Sequence, residues 1–435
     1  MRLFDLSLQL NGFDIAKAKR HLSSIQQQNI EDQKFSVLKR REAIVNYHVK
    51  HTAFYRDNFI DYYPKDWSQI PIMTKRDLQS PLEHRLSKEY NSKKVYINKT
   101  SGSSGDPFFF AKDKWCHALT WAQIMNRFSW YGIDFNTSKQ ARFYGIPLNF
   151  ISHRKERLKD WFSNRYRFSV FDLSDKALED CLKQFKSTPF DYINGYTSPI
   201  VQFAKFLKRK AILLSDVCPT LKVCIVTSEM LFDQDRQLLE DYFGVSVVNE
   251  YGASELDLIA FENTKGAWQL NSDTLFTEIV DDNDKVLPYG EEGRIVITSL
   301  FNKAHPFIRY DIGDVGVIDK KSTVAEPLLK SLVGRTNDII RLPSGKTAAG
   351  LTFYYITKSV IEDSGNVKEF VIEQTALNSF LITYSSSLEL EEHYKSEIHS
   401  EIIKYLEPGL HIDFERTDQV QRSRSGKLKQ FISRI

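Results

Sequence analysis

Ten residues between two apolar segments have the composition of an anion-binding loop. The stretch Asn98-Lys99-Thr100-Ser101-Gly102-Ser103-Ser104-Gly105-Asp106-Pro107 contains mostly small, hydroxylated and glycine positions. Glycine lets the backbone approach a ligand closely, and successive N–H groups with Thr and Ser hydroxyls form a nest for phosphate oxygens. Taken alone, such a run is more often a flexible loop. The rest of the chain decides between these interpretations.

Two clusters of polar residues follow predicted strands. The strand at 223–226 leads into Thr227-Ser228-Glu229, and the strand at 245–248 leads into Asn249-Glu250-Tyr251-Gly252-Ala253-Ser254-Glu255. In an open α/β sheet, ligands bind at the carboxyl ends of the strands. We therefore predict that both clusters are turns at a ligand-binding edge.

Composition limits the classes of protein that need to be considered. The chain has 435 residues, a formal net charge of +3 and 42% apolar residues, which predicts at least two folded domains and argues against a dedicated nucleic-acid binder. Its four cysteines form no CxxC pair, so we expect reduced thiols and no zinc site. No segment approaches the roughly 18 apolar residues of a membrane span. We expect a cytoplasmic protein whose membrane contact, if any, is peripheral.

The pattern of apolar residues predicts α/β layers followed by smaller units. Residues 1–95 and 114–131 have mostly helical spacing, and from about 170 strands alternate with helices over 197–209 and 230–243, as in a parallel sheet. Segments 278–280 and 294–298 alternate like half-buried strands of a more antiparallel subdomain. Farther along the chain we predict helices over 351–363 and 389–405 and strands near 367–373, 378–384 and 411–415.

Residues 153–168 are locally basic, with six Lys or Arg against Glu156 and Asp160. The pattern is typical of a solvated helix face, but it also fits a surface for phosphates, an anionic polymer or a lipid head group. Both interpretations stay open at this stage.

Three common site types lack their motifs. No GxxxxGK[ST] phosphate loop occurs, and no GxGxxG opens a βαβ unit. The segment Gly102-Ser103-Ser104-Gly105 is one residue short of the GxSxG elbow of serine hydrolases. The sequence therefore does not predict a P-loop NTPase, a Rossmann dinucleotide-binding protein or a serine hydrolase.

Five motifs in order resemble those of the adenylate-forming enzymes, most closely their phenylacetate–CoA ligase and CapK-like branch. The family's phosphate loop is similar to Thr100 through Gly105, and its Tyr-Gly-x-Ser/Thr-Glu motif to Tyr251 through Glu255. Its ribose motif is similar to Tyr310 through Asp314, its hinge motif to Gly334 through Asp338, and its C-terminal motif to Ser425-Gly426-Lys427. The motifs span residues 100 to 427, so the resemblance covers nearly the whole chain.

The resemblance implies an α/β fold with a large N-terminal adenylation domain, residues 1–333, and a small mobile α+β lid, residues 334–435. It implies that ATP activates a carboxylic acid to an acyl-adenylate with release of pyrophosphate, and that CoA is the acceptor. Asn337, where the family usually has Asp or Lys, would be the hinge.

The resemblance also assigns roles to individual residues. Glu255 would hold Mg²⁺, a hard ion that favours carboxylate and phosphate oxygens. Lys427, placed by Gly426, would bridge the carboxylate and the α-phosphate in the transition state. The phosphates would contact Thr100, Ser101, Gly102, Ser103, Ser104, Gly105 and Ser254. Adenine and ribose would contact Ser228, Glu229, Asn249, Glu250, Tyr251, Gly252, Asp314 and Arg335.

The acyl pocket has the weakest sequence signal. Candidates by position are Tyr144, Gly145, Asn194, Tyr196 and Ala253, each of which fits a structural role equally well. Three functions follow from the sequence: an acid–CoA ligase, a ligase acting on an amino or hydroxyl group of a sugar, polysaccharide precursor or other metabolite, and a non-catalytic nucleotide-binding scaffold. The identity of the acid and the oligomeric state have no sequence signal.

Overall fold

The computed structural model describes residues 3–60, 62, 64, 66–100, 108–144, 160, 163–168, 170, 172–335, 339–345, 347–349, 367–422 and 428–435. Within these ranges, none of the helices combines the length and the apolar composition needed to cross a membrane. By contacts the chain forms two compact units, which comprise Met1–Ile312 with Val317–Ser331, and Gly313–Gly316 with Leu332–Ile435.

The described helices lie mostly in the first unit. They are α1 (Leu3–Leu10), α2 (Ile15–Gln26), α3 (Ile30–His51), α4 (Ala53–Asn58), α5 (Leu82–Arg85), α6 (Lys114–Ser129), α7 (Asp175–Ser187), α8 (Thr197–Lys210), α9 (Leu214–Val217), α10 (Asp233–Phe243) and α11 (Glu392–Tyr405). Short 3₁₀ helices cover Trp67–Gln69 and Asp77–Gln79.

The described strands number nineteen. They are β1 (Val95–Lys99), β2 (Phe109–Asp113), β3 (Gln140–Phe143), β4 (Arg165–Phe168), β5 (Tyr192–Tyr196), β6 (Val223–Thr227), β7 (Ser246–Ala253), β8 (Asp257–Glu262), β9 (Trp268–Leu270), β10 (Leu275–Val280), β11 (Glu292–Ser299), β12 (Tyr310–Ile318), β13 (Leu329–Arg335), β14 (Ile339–Arg341), β15 (Thr347–Ala349), β16 (Val367–Ala376), β17 (Ser379–Ser386), β18 (His411–Thr417) and β19 (Phe431–Ser433).

A seven-stranded sheet is the centre of the first unit. Its order is β4-β3-β5-β6-β7-β8-β9, in which β4 to β7 are parallel and β8 and β9 are antiparallel additions. Helices α7, α8 and α10 bury apolar side chains such as Phe185, Phe203 and Phe243 against one face. Phe128 of α6 packs on the opposite face with Ile225 and Val248. The alternation of strands and helices thus produces a layered α/β core, as predicted.

The N-terminal helices pack on α6. Ala18 and Leu22 of α2 meet Leu119 and Ala122 of α6 in a second apolar cluster. In α3 the predicted apolar face is buried through Val37, Ile44, Val45 and His48. The His48 ring lies between the Thr52 hydroxyl and the Asn302 carbonyl, each 2.8 Å from a ring nitrogen. Hydrogen bonds therefore satisfy both ring nitrogens of His48 on this apolar face.

Two further sheets confirm predicted strands. Segments 278–280 and 294–298 lie in β10 and β11, which pair antiparallel in a sheet of order β10-β11-β12-β13. In the second unit, β16 and β17 form an antiparallel pair in the sheet β18-β17-β16-β19, with α11 following in sequence. The helix predicted over 351–363 lies outside the described residues. The mixed α/β fold class is confirmed.

Gly195 marks the tightest approach within the parallel sheet. A Cβ at this position would lie 2.3 Å from the carbonyl oxygen of Phe143, its partner on β3. Backbone atoms cannot rotate away as a flexible side chain can, so a methyl group here forces the two strands apart.

We expect Gly195→Ala to lower the free energy of unfolding by about 2 kcal/mol or more because of this overpacking. Urea unfolding followed by circular dichroism measures the change. Ser187→Ala on the exposed surface of α7 is the control and should stay within about 0.5 kcal/mol of the parent. Equal stabilities of the Gly195 variant and the parent would contradict the close strand approach.

Candidate active site at the carboxyl edge of the sheet

The predicted phosphate loop connects the two strands of a hairpin. Strands β1 and β2 are antiparallel, with Lys99 opposite Phe109. Beyond that pair, the Thr100 N–H donates to the Phe108 carbonyl, and the Phe108 N–H donates to the Thr100 hydroxyl, both at 3.1 Å. Buried Thr100 therefore fixes both ends of the connection. Residues 101–105 themselves lie outside the described residues.

The turn predicted at 249–253 is wrong, because β7 continues to Ala253. Its last residues pair with β8, which returns antiparallel, and the pairing shifts register between Tyr251 and Gly252. A Cβ on Gly252 would lie 2.6 Å from the Asp257 carbonyl oxygen, so glycine is required for this close approach. Only 254–256 form the turn, which leaves Ser254 exposed and Glu255 buried.

Glu255 is held in the interior by a tyrosine from another motif. The Tyr310 hydroxyl donates to Oε1 of Glu255 over 3.0 Å, and the two side chains are 1% and 7% exposed. Glu255 also lines a cavity of about 20 Å³, with polar side chains from Lys112, Gln123 and Asn271 in its wall. The Tyr-Gly-x-Ser-Glu and ribose motifs, 55 positions apart, therefore meet at one carboxylate.

The carboxylate of Glu255 fits a hard cation. Glu255 lines a small cavity whose wall includes polar and apolar side chains, and carboxylate oxygens are donors that suit Mg²⁺. Within the described ranges no group of three or more His, Cys, Asp or Glu side chains could hold a metal by itself. A magnesium ion at Glu255 would thus need oxygens from its substrate, which is the usual mode for this ion.

Lys112 and Asp257 form an ion pair that sequence reasoning missed. Lys112 follows two phenylalanines and an alanine on β2 and is buried, and its ammonium group contacts the Asp257 carboxylate. Asp257 begins β8 with a φ of +56°, in the left-handed region. The only local signal was a lone charge inside an apolar strand, and nothing in the sequence pointed to its partner 145 positions away.

Two of the acyl-pocket candidates lie together with an arginine that was not predicted. The rings of Tyr144 and Tyr196 are 4.6 Å apart between centroids, at the ends of β3 and β5. The Arg142 guanidinium lies over the Tyr144 ring at 4.0 Å. Burial raises the pKa of Tyr144, and the charge of Glu250 acts in the same direction. The carboxyl ends of the strands thus bring Tyr144, Tyr196 and Glu250 into one cluster.

Glu250 carries an unusual carboxyl group for a residue within a strand. Burial raises its pKa from 4.5 to about 7, although a hydrogen bond from Thr227 and the charge of Arg142 act in the opposite direction. The hydrogen bond and the arginine charge both stabilise the Glu250 anion, but removal of the carboxylate from water has the larger effect on its pKa. The pKa of Glu250 therefore lies near neutral pH.

The remaining adenine and ribose candidates have mixed environments. Ser228 is exposed and adopts a φ of +70° directly after β6. Glu229 accepts a hydrogen bond of 2.7 Å from the Ser198 N–H, which satisfies the first turn of α8. The Asn249 N–H donates to Glu262 over 2.7 Å, and Tyr251 packs against Trp268 with centroids 6.2 Å apart.

Asn194 is committed to the sheet rather than to a pocket. It is 5% exposed, accepts a 3.1 Å hydrogen bond from Gln140 and donates over 3.2 Å to the Ile225 carbonyl. These contacts tie β3, β5 and β6 together. Its environment supports a structural role.

The basic segment contributes a strand, not an exposed helix face, where the structure describes it. Arg165 and Arg167 lie on β4, and both contact the Asp160 carboxylate, which is almost fully buried. Burial lowers the pKa of Arg165, as do the neighbouring charges of Arg142 and Arg167. These two arginines are therefore part of the interior.

Several predicted residues lie in or beside parts that are not described. Asp314 is 9% exposed on β12 and belongs by contacts to the second unit. Arg335 ends β13, but its side chain is outside the described part of the chain, as are Gly145, Asn337 and Lys427. Ala253, the last residue of β7, pairs with Asp257.

Curated relatives share part of the chain. No family model matches it. Protein CapK of Staphylococcus aureus is 23% identical over 288 residues, which cover 63% of this chain and 60% of CapK. Phenylacetate-coenzyme A ligase of Pseudomonas putida is 23% identical over 284 residues, 63% of this chain and 62% of that enzyme. The chain thus spans about three fifths of the length of these relatives.

Solved structures match over a longer range. The crystal structure of 2-hydroxyisobutyryl-CoA ligase in the postadenylation state with 2-HIB-AMP has a TM-score of 0.71 and 16% identity, covering 93% of this chain and 90% of that one. The amide bond synthetase McbA of Marinactinospora thermotolerans has a TM-score of 0.53 and 13% identity, covering 77% and 67%. At these identities the likeness is one of fold.

The proton on Glu250 makes stability depend on pH. Because its pKa is higher in the folded state than in the unfolded chain, the folded protein binds more protons between about pH 4.5 and pH 7. The contribution of Glu250 to the free energy of unfolding is therefore present at low pH and falls as pH rises through that window.

We expect Glu250→Gln, which mimics the protonated carboxyl, to match the parent near about pH 4.5 and to be more stable by up to about 3 kcal/mol near about pH 8. Urea unfolding at both pH values measures this. Glu240→Gln, on the α10 surface, is the control for loss of a carboxylate. A stability difference that does not change with pH would contradict the assignment.

Proposed function

We propose that this chain, which belongs to the adenylate-forming superfamily in the branch of CapK and phenylacetate-coenzyme A ligase, is an AMP-forming ligase that activates a carboxylic acid with ATP and transfers the acyl group to CoA. The observation that carries the proposal is the buried Glu255 carboxylate bound by Tyr310, which joins two motifs of such enzymes next to a small cavity.

The first half-reaction joins two anions. A carboxylate oxygen of the acid attacks the α-phosphorus of ATP, the bond from that phosphorus to the bridging oxygen breaks, and pyrophosphate leaves. The site must therefore stabilise negative charge as it develops. Mg²⁺ held by Glu255 would supply charge neutralisation at the phosphates, while the loop that begins at Thr100 would bind their oxygens through N–H and hydroxyl groups.

The second half-reaction transfers the acyl group. The acceptor sulfur attacks the acyl carbon, the sulfur loses its proton, and AMP leaves with the electrons of the bond that breaks. We assign CoA as the acceptor because two curated relatives are phenylacetate-coenzyme A ligases. In the described part of the basic segment, half-buried Arg165 and buried Arg167 are paired with Asp160, so these two arginines give no support to a polysaccharide acceptor.

We expect pyrophosphate release from Mg·ATP with a panel of aryl, fatty and other carboxylic acids, and we expect sustained turnover to require CoA. The assay is run with CoA, with hydroxylamine as a surrogate amine, and with neither. Hydroxamate formation without use of CoA would replace the CoA assignment by an amine or hydroxyl acceptor. ATP binding with no pyrophosphate release from any acid would favour the nucleotide-binding scaffold.

The assignment of Lys427 gives a sharper test. We expect Lys427→Ala to lower acyl-adenylate formation by about 100-fold or more, because the cation that bridges carboxylate and α-phosphate is lost, while ATP still binds. Single-turnover release of pyrophosphate and calorimetric ATP binding measure the two effects. Lys429→Ala removes an equal charge two positions away and should stay close to the parent. Near-normal adenylation by the Lys427 variant would refute the role.

A further inference from the structure

Arg142 lies on the face of the central sheet that is opposite α7 and α8. Its neighbours in sequence, Ala141 and Phe143, point into the apolar core with α7 and α8, so the alternation of a strand directs Arg142 to the other face. On that face it lies opposite Asn194 on β5 and Arg167 on β4. The side chain is half-buried and covers the ring of Tyr144.

The guanidinium of Arg142 has no ion pair or hydrogen bond to any described residue. Its Nε atom is buried without an acceptor. By contrast, Arg165 and Arg167, its neighbours on β4, both contact Asp160. A cation removed from water costs free energy unless an anion compensates it.

Glu250 supplies that anion only in part. It interacts electrostatically with Arg142, but no ion pair joins them in the described structure, and its carboxyl retains a proton up to near neutral pH. Thr227 occupies one of its hydrogen-bonding positions. The site therefore combines a partly compensated guanidinium, two tyrosine rings and a carboxyl group that can donate a proton.

We propose that Arg142 binds a second carboxylate on the acid substrate, so that the natural substrate class is a dicarboxylic acid. A guanidinium binds a carboxylate through two parallel N–H···O hydrogen bonds, which gives both affinity and orientation. The paired rings of Tyr144 and Tyr196 supply a wall for the carbon chain between the two carboxylates. This inference rests on the proposed ligase function, because it names the acid that the same site would activate.

The test compares diacids with monoacids of equal chain length. Pyrophosphate release is measured with malonate, succinate, glutarate and adipate, and with propionate, butyrate, valerate and caproate. The parent should prefer a diacid. In Arg142→Gln the kcat/KM for that diacid should fall by about 100-fold, while values for the monoacids change by less than about 3-fold. Arg142→Lys keeps the positive charge but loses the paired N–H donors of the guanidinium, so its kcat/KM for the diacid should lie between those of the parent and Arg142→Gln.

Thermal unfolding gives a readout that does not depend on turnover. The preferred diacid should raise the Tm of the parent more than its monoacid partner does, and Arg142→Gln should abolish that difference. Arg209→Gln removes an exposed arginine from α8 and is the matched control, which should keep the diacid response. Without ligand, Arg142→Gln should unfold at or above the parent temperature, because it removes a partly compensated charge.

The outcomes separate this inference from the proposed function. Diacid-specific stabilisation that requires Arg142, with no pyrophosphate release, would support the inference and overturn the ligase. Pyrophosphate release that treats diacids and monoacids alike in both the parent and Arg142→Gln would support the ligase and overturn the inference. Loss of ATP binding in Arg142→Gln would also overturn it, since the guanidinium would then hold phosphate. No diacid response in either assay would overturn it as well.

Discussion

The close approach of β7 and β8 at Gly252 determines where the carboxylates of the candidate site lie. With no room for a Cβ against the Asp257 carbonyl, the two strands form a tight antiparallel hairpin at the edge of a parallel sheet. Its turn places Glu255 against Tyr310, and its returning strand places Asp257 against Lys112. One backbone constraint thus positions two carboxylates whose partners come from distant parts of the chain.

Burial determines the electrostatic properties of the polar residues around Asn194 in the central sheet. Gln140, Asn194 and the Ile225 carbonyl satisfy one another through hydrogen bonds across three strands. Nearby, loss of water shifts the pKa of Glu250 upward and that of Arg165 downward. Charges act more strongly on each other in such surroundings than in water. Because solvent is excluded here, a single charged side chain has a strong effect on which ligands can bind.

The layered fold could be predicted from sequence because it depends on local periodicity. The predicted alternation of strands and helices between 190 and 248 is confirmed. The predicted end of β7 is wrong, because β7 is extended by its pairing with β8, a contact that the local sequence pattern does not indicate. The site motifs were visible as residue types. The environments of Lys112, Arg142 and Arg167 were not, because their partners or neighbours lie on other strands and leave no local pattern.

The pinned ends of the segment between Thr100 and Phe108 have an energetic consequence. Closing a loop costs chain entropy. Here that entropy is lost when the β1–β2 hairpin forms during folding. Binding of a nucleotide beside Thr100 would then not have to bring Thr100 and Phe108 together, because their hydrogen bonds already do so. The stability of β1 and β2 would in this way set part of the nucleotide affinity, although neither strand needs to touch the ligand.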